Sequence, residues 1–153
     1  MRIVISSDHC GVALKPKVIA ALTATGHQVH DLGVDADAGE VDYPPLCTAL
    51  CDEILAGNAD AGIVIGGSGG GESIVCNRRP GIRAGIAWST WATEISRGNN
   101  DANVMLIPAK ALDDDTALEL VDVWLRTPFK GGVHAERLAQ IDRLTAPGAQ
   151  REA

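Results

Sequence analysis

Short apolar runs alternate along this chain with longer segments whose apolar residues recur every three or four positions. The short runs predict strands, at residues 2–6, 29–32, 61–65, 82–87 and 104–107. The longer segments predict helices, at residues 12–25, 44–55, 90–97, 113–126 and 134–144. Five apolar strands alternating with helices are typical of a parallel sheet with helices on both faces, so we expect an α/β fold.

The length of the chain fits one domain. It has 153 residues, of which 46% are hydrophobic, enough to bury a core without a disulfide or a structural metal. We expect a single domain at residues 1–144, followed by a disordered tail at 145–153. No apolar run reaches the roughly 18 residues of a membrane span, and the first apolar run is too short for a signal peptide. We therefore expect a cytoplasmic protein.

Charge and cysteine content exclude several classes of partner. Thirteen basic and 20 acidic residues give a net charge of −7, which argues against a nucleic-acid or anionic-membrane partner. The four cysteines (Cys10, Cys47, Cys51 and Cys76) lack the spacing of a zinc set. We expect them to be reduced and mostly buried, and we predict neither a metal ion nor a cofactor.

In parallel sheets the ligand binds beyond the carboxyl ends of the strands. That rule selects four loops, at residues 7–11, 33–43, 66–73 and 88–89. The polar residues just before Val104 lie at the opposite strand end, although they could close over the site from the helix side.

A glycine-rich loop at residues 66–73 is the strongest local signal. Its sequence is GGSGGGES, it follows a strand, and it opens a predicted helix. Glycines let backbone N–H groups approach an anion, although a tight turn without a ligand is the alternative. Glu72 stands where a P-loop requires lysine, and the spacing of a dinucleotide fingerprint fails as well. These departures oppose a nucleotide or flavin site.

A carboxylate beside backbone donors fits a proton-transfer enzyme better than an anion binder. Glu72 would remove a proton α to a carbonyl, while Ser68 and the glycine N–H groups would stabilise the resulting oxyanion. The alternative is a glutamate placed in the first helical turn for its favourable interaction with the helix dipole. The residues alone leave both open.

Other polar residues fall on the same predicted edge. Asp8 and His9 end the first strand and are suited to sugar hydroxyls and phosphate, or else to a helix cap and an exposed histidine. Tyr43 adds an aromatic hydroxyl on another loop. The cluster at residues 99–103, NNDAN, is either functional or a simple turn.

Together and in order, these segments resemble the ribose-5-phosphate isomerase B and galactose-6-phosphate isomerase family over roughly residues 1–144. The matching stretches are SDH at 7–9, VDYP at 41–44, the glycine loop, NRRPGIRA at 77–84, NDANV at 100–104, WLRTPF at 124–129 and GGVH at 131–134. The resemblance implies a Rossmann-like three-layer α/β/α sandwich with a five-stranded parallel sheet and a C-terminal helix. It also implies a homodimer, or a dimer of dimers, with active sites shared between subunits.

The implied reaction is metal-free aldose–ketose isomerisation of a phosphorylated sugar through an enediolate, as in the pentose phosphate pathway. Many relatives place a cysteine base where this chain has Gly66, and a second group uses a glutamate at the position of Glu72. By that resemblance, Glu72 is the base and Ser68 belongs to the oxyanion loop. The other implied substrate-binding residues are Asp8, His9, Tyr43, Gly67, Gly69, Gly70, Gly71, Asn100, Lys110 and Arg137, with Arg137 reaching the neighbouring subunit's site.

Three positions depart from the family pattern. Asn99 replaces the histidine assigned to opening the sugar ring, Val133 replaces an arginine, and Lys110 stands where an arginine follows the fifth strand. Asparagine has no group that titrates near neutral pH. The substrate is therefore either of the ribose 5-phosphate type or a linear tetrulose 4-phosphate that needs no ring opening.

Two other functions are weighed against the isomerase. A noncatalytic sugar-phosphate binding protein would gain little from a carboxylate beside a phosphate. For a nucleotide- or flavin-binding module, the chain lacks both the P-loop lysine and the dinucleotide fingerprint.

Overall fold

The computed structural model describes residues 1–145. Apart from the Thr145 backbone, the predicted tail lies outside the described residues. The strands are β1 (Arg2–Ser7), β2 (Gln28–Asp31), β3 (Ala61–Gly66), β4 (Ala84–Ile86) and β5 (Val104–Pro108). The helices are α1 (Lys15–Ala24), α2 (Tyr43–Leu55), α3 (Gly70–Cys76), α4 (Thr90–Gly98), α5 (Asp114–Arg126) and α6 (Val133–Thr145).

The five strands form one sheet in the order β2-β1-β3-β5-β4, and every neighbouring pair is parallel. Successive side chains of a strand point to opposite faces. Ile3 and Ile5 accordingly join a core with α1 and α5, whereas Val4 and Val64 join a core with α2. All six residues of β3 are buried, as expected for a central parallel strand. The α/β/α architecture with a five-stranded parallel sheet is confirmed.

The strand order also defines where a ligand binds. The chain passes from β1 to β2 on one side and then returns to β3 on the other side of β1. A crevice opens at such a switch point, outside the carboxyl ends of the two strands. The loops that begin after Ser7 and Gly66 border this crevice.

Two elements differ from the sequence prediction by more than one residue. Helix α1 begins at Lys15 rather than at residue 12, because Pro16 has no N–H with which to donate to the Val12 carbonyl. Strand β4 is shorter than predicted because the Arg83 N–H donates to the Asn103 side chain, 2.8 Å away, instead of joining the sheet.

Within residues 1–145, none of the helices combines the length and the apolar character that crossing a membrane requires.

Candidate active site

The carboxyl edge of the sheet gathers most of the predicted site residues. Asp8 and His9 follow β1, the glycine loop follows β3, and Lys110 follows β5. The Lys110 N–H donates to the Gly67 carbonyl at 3.1 Å, which ties the last of these loops to the glycine loop. Tyr43 reaches the same region from the first residue of α2.

Glu72 occupies the space that a side chain at position 66 would take. It lies in the first turn of α3 and is only 4% exposed. A Cβ added to Gly66 would overlap Glu72 Oε1 and lie 2.6 Å from Glu72 Cδ. No hydrogen bond or ion pair joins the Glu72 side chain to another described residue. The carboxylate is therefore held at the end of β3 with its oxygens free to take a proton.

The glycine loop presents backbone donors beside that carboxylate. Gly69 has a φ of +76°, a conformation that favours glycine and turns the chain into α3. The N–H groups of Gly67, Ser68 and Gly69 have no acceptor among residues 1–145, whereas the Gly70 N–H donates to Ser68 Oγ at 3.2 Å. Several N–H groups thus remain available to an oxyanion.

Asp8 and His9 are held by backbone contacts. Asp8 is 7% exposed, and its Oδ1 accepts a hydrogen bond from the Cys10 N–H at 2.8 Å. His9 is exposed, and its Nδ1 accepts from the Val41 N–H at 3.3 Å. That contact brings the loop between β2 and α2 over the end of β1.

Lys15 anchors the other end of this loop. Its buried Nζ lies 2.8 Å from the Asp31 carboxylate and donates to the Val34 carbonyl at 2.9 Å. The burial of Lys15 could not be predicted from the sequence, because a lysine at the start of a helix carries no signal of burial.

Tyr43 packs directly on the glycine loop. A Cβ on Gly71 would overlap Tyr43 Oη and lie 2.5 Å from Tyr43 Cζ. Gly71 is therefore required for close approach of the ring, and the phenolic hydroxyl is placed beside the first turn of α3.

Asn99 and Asn100 do not lie at this edge in a single chain. They precede β5, so the whole of that strand separates them from Lys110. Five residues at about 3.3 Å each span roughly 16 Å. Asn99 Oδ1 accepts a hydrogen bond from Lys130 Nζ at 2.8 Å, and Arg137 is exposed on α6. The predicted site is thus divided between the two ends of the sheet.

Cys10 lies in a group of possible metal ligands, although the four cysteines lack the sequence spacing of a zinc set. One ligand atom from each of Asp8, His9 and Cys10 lies within 4.8 Å of the other two. The three residues are consecutive on a tight turn, where the Gly11 N–H donates to the Asp8 carbonyl. Three consecutive residues on a turn do not follow the sequence spacings of the usual zinc sites.

The other three cysteines are buried and free. Hydrogen bonding to Cys47 and burial raise the pKa of Cys76 to about 12, and hydrogen bonding to Cys76 together with burial raises the pKa of Cys51. The Cys51 and Cys76 thiols therefore stay protonated at neutral pH. Cys10 is half-buried, so the expectation of mostly buried thiols is confirmed for three of the four.

Comparison with known proteins assigns this arrangement to an enzyme family. The sequence model of the ribose/galactose isomerase family matches residues 3–141. Ribose-5-phosphate isomerase B of Mycolicibacterium paratuberculosis is 37% identical over 157 aligned positions, which cover 97% of this chain and 99% of the relative. The chain therefore belongs to the ribose/galactose isomerase family and is, by class, an aldose–ketose isomerase.

Solved structures agree with the family and the fold. The Clostridium thermocellum ribose-5-phosphate isomerase B has a TM-score of 0.90 at 38% identity, over 94% of this chain and 97% of its own. A Mycoplasma genitalium ribose-5-phosphate isomerase B with bound ribulose-5-phosphate has a TM-score of 0.88 at 30% identity, over 93% and 94% of the two chains.

Proposed function

We propose that this protein interconverts the aldose and ketose forms of a small sugar phosphate through an enediolate, with Glu72 as the base. The position of the Glu72 carboxylate beside Gly66 carries the proposal. By the family resemblance, many relatives have a cysteine base at the position of Gly66, and in this chain the Glu72 carboxylate fills that volume. The mycoplasma relative with bound ribulose-5-phosphate supports the substrate class.

The reaction needs a proton carrier and oxyanion donors, and the chain supplies both. Glu72 takes the proton from the carbon α to the carbonyl, and the electron pair moves onto the carbonyl oxygen. The N–H groups of Gly67, Ser68 and Gly69 stabilise the resulting oxyanion, assisted by Ser68 Oγ and by Gly70 and Gly71. The hydroxyl proton on the α carbon passes to this oxyanion, and protonated Glu72 returns the carbon-bound proton to the former carbonyl carbon. The carbonyl group then stands on the α carbon, so protons and electrons balance without a metal ion or redox cofactor.

The surrounding side chains suit a phosphorylated sugar. The buried Asp8 carboxylate and the Tyr43 hydroxyl accept and donate hydrogen bonds to sugar hydroxyls. His9 and Lys110 supply donors or positive charge for the phosphate, and Lys110 is tied to the glycine loop through its backbone.

We propose a homodimer in which each site is completed by the other copy. Asn99 and Asn100 lie at the other end of β5 from Lys110, too far to serve the Glu72 pocket of the same copy. The exposed Arg137 is proposed to act in the other copy's site, as the family resemblance implies. A groove of about 620 Å³ borders the edge strand β4 and lies between α4 and α6. Its lining includes Trp88 and Trp91, which are 59% and 66% exposed. Large exposed aromatic residues in a groove are typical of protein interfaces.

The substrate is proposed to need little or no ring opening. Asn99 cannot transfer a proton, and its side-chain oxygen is occupied by Lys130. A linear tetrulose 4-phosphate meets this condition directly, and a ribose 5-phosphate type substrate meets it through its open form. Free buried thiols such as Cys47, Cys51 and Cys76 fit a reducing compartment, and we propose the cytoplasm.

Glu72→Gln tests the proposal, because it keeps the shape of the side chain and removes the base. A positioned general base contributes about 10²–10⁴ in rate, so turnover should fall by at least that range while sugar-phosphate binding persists. The wild-type protein should also exchange the substrate α-proton with deuterated solvent. A noncatalytic binding protein would bind the sugar phosphate without exchange. Near wild-type turnover in Glu72→Gln would contradict the assignment of the base.

A further inference from the structure

We propose that Asp8, His9 and Cys10 form a binding site for a thiophilic divalent cation such as Zn²⁺, and that this ion competes with the sugar phosphate. The binding claim depends only on the three side chains. The competition claim rests on the proposed function, which assigns Asp8 and His9 to the substrate.

The turn after β1 brings the three ligand types together. One ligand atom from each residue lies within 4.8 Å of the others, so small side-chain rotations suffice to reach a common ion. The Asp8 side chain and the backbone carbonyl of Asp8 accept hydrogen bonds from Cys10 and Gly11, at 2.8 and 3.1 Å, which fixes the turn. Little backbone ordering is then required when the ion binds.

The donor set selects the ion. A carboxylate oxygen, an imidazole nitrogen and a thiolate suit Zn²⁺, whereas Mg²⁺ and Ca²⁺ prefer oxygen ligands alone. Three protein ligands leave a fourth position of a tetrahedral site open to water. Cys10 is half-buried, whereas the other three cysteines are fully buried.

Metal binding is coupled to the loop that carries Val41. His9 Nδ1 now accepts a hydrogen bond from the Val41 N–H. If the ion binds Nδ1, that acceptor is occupied; if it binds Nε2, the proton of the neutral ring moves to Nδ1. Either route removes the contact between His9 and Val41. We therefore expect the Val41 amide hydrogen to exchange with solvent faster when the ion is bound.

One positive group opposes the ion. A Cβ on Gly67 would lie 3.4 Å from Cys10 Sγ and 3.7 Å from Lys110 Cδ, so the Cys10 and Lys110 side chains both approach Gly67. Lys110→Met should accordingly strengthen metal binding, because it removes a like charge from the site.

The experiment titrates the metal-free protein with Zn²⁺ by calorimetry and with Co²⁺ by absorbance, since a cobalt–thiolate bond gives a charge-transfer band. The wild type should bind one ion and show the band. Cys10→Ser should lose the band and weaken Zn²⁺ binding by at least about tenfold. Even the loss of a residue that only orients a metal ligand weakens binding by about that factor. Cys47→Ala, which removes a buried thiol, serves as the matched control and should bind as the wild type does. No saturable binding, or equal binding by Cys10→Ser, would overturn the site.

Competition between Zn²⁺ and the sugar phosphate is measured in the isomerase assay. Zn²⁺ should raise the apparent KM without changing kcat, and Cys10→Ser should resist it by about the same factor by which its affinity for zinc falls. A fall in kcat at constant KM would overturn the competition. If the protein binds Zn²⁺ through Cys10 but isomerises no sugar phosphate, the proposed function fails and the metal site stands.

Discussion

Gly66→Ala should disable catalysis by displacing Glu72, although it adds only one methyl group. The added Cβ would overlap Glu72 Oε1 and lie 2.6 Å from Cδ and 3.1 Å from Cγ. The carboxylate must therefore move by an ångström or more, because the strand that carries residue 66 is buried and paired on both sides.

Two effects set the expected magnitudes. Overpacking a buried site costs about 1–3 kcal/mol, which for a chain of this size lowers Tm by roughly 2–12 °C. A misplacement of about 1 Å costs on the order of 10²-fold in rate. We therefore expect kcat to fall by at least about 10²-fold in a protein that still folds. Thermal unfolding and steady-state kinetics on the same preparation measure both quantities.

Gly62→Ala is the matched control for this experiment. Gly62 lies on the same strand and the same face, and its added Cβ would lie 2.6 Å from Leu50 Cδ2 in the core. It should lower Tm comparably and leave kcat close to wild type. If Gly66→Ala loses no more activity than Gly62→Ala, the placement of Glu72 as the base is wrong.

Three further predictions concern the metal requirement, the choice of substrate and the reactivity of the thiols. Activity should survive exhaustive chelation with EDTA, because the base and the oxyanion donors are protein groups; restoration of a lost activity by one divalent ion would contradict this. Linear four-carbon phosphates should be turned over with a higher kcat/KM than ribose 5-phosphate, which is limited by its open fraction. Asn99→His should raise kcat/KM for ribose 5-phosphate and leave it unchanged for the four-carbon substrates. A strong wild-type preference for ribose 5-phosphate would refute the role given to Asn99. In the native protein only Cys10 of the four cysteines should react with a thiol reagent at neutral pH, whereas Cys10→Ser should react only after unfolding.

The sequence predicts the fold well because period-two and period-3.6 patterns are local. The strands β1, β3 and β5 are apolar on both faces, which only a central position in a parallel sheet explains. The errors arise where a tertiary contact competes with the local pattern. Strand β4 is shortened because Asn103, twenty residues further along the chain, takes the Arg83 N–H. No pattern around residues 82–87 records that contact.

The site is predictable in composition but not in geometry. The loop motifs identify Asp8, His9, Tyr43 and the glycine loop, and the sheet places them at one edge because all parallel strands end there. The close approach of the Asp8, His9 and Cys10 ligand atoms cannot be predicted, because it depends on how three side chains are rotated on a tight turn. The contact between Lys130 and Asn99 cannot be predicted from the sequence, because the two residues meet only once β5 and α5 have formed.

The division of the site between the two ends of the sheet has a consequence for substrate choice. Glu72 and the oxyanion donors are fixed by β3 and the turn into α3, whereas Asn99 and Val133 belong to segments that meet at the amino end of β5 and the start of α6. In the proposed dimer these segments reach the pocket from the other copy, and they share no contact with Glu72 within a chain. Under this proposal, Asn99 and Val133 would select the sugar phosphate, while β3 and the turn into α3 within the first copy keep Glu72 in place.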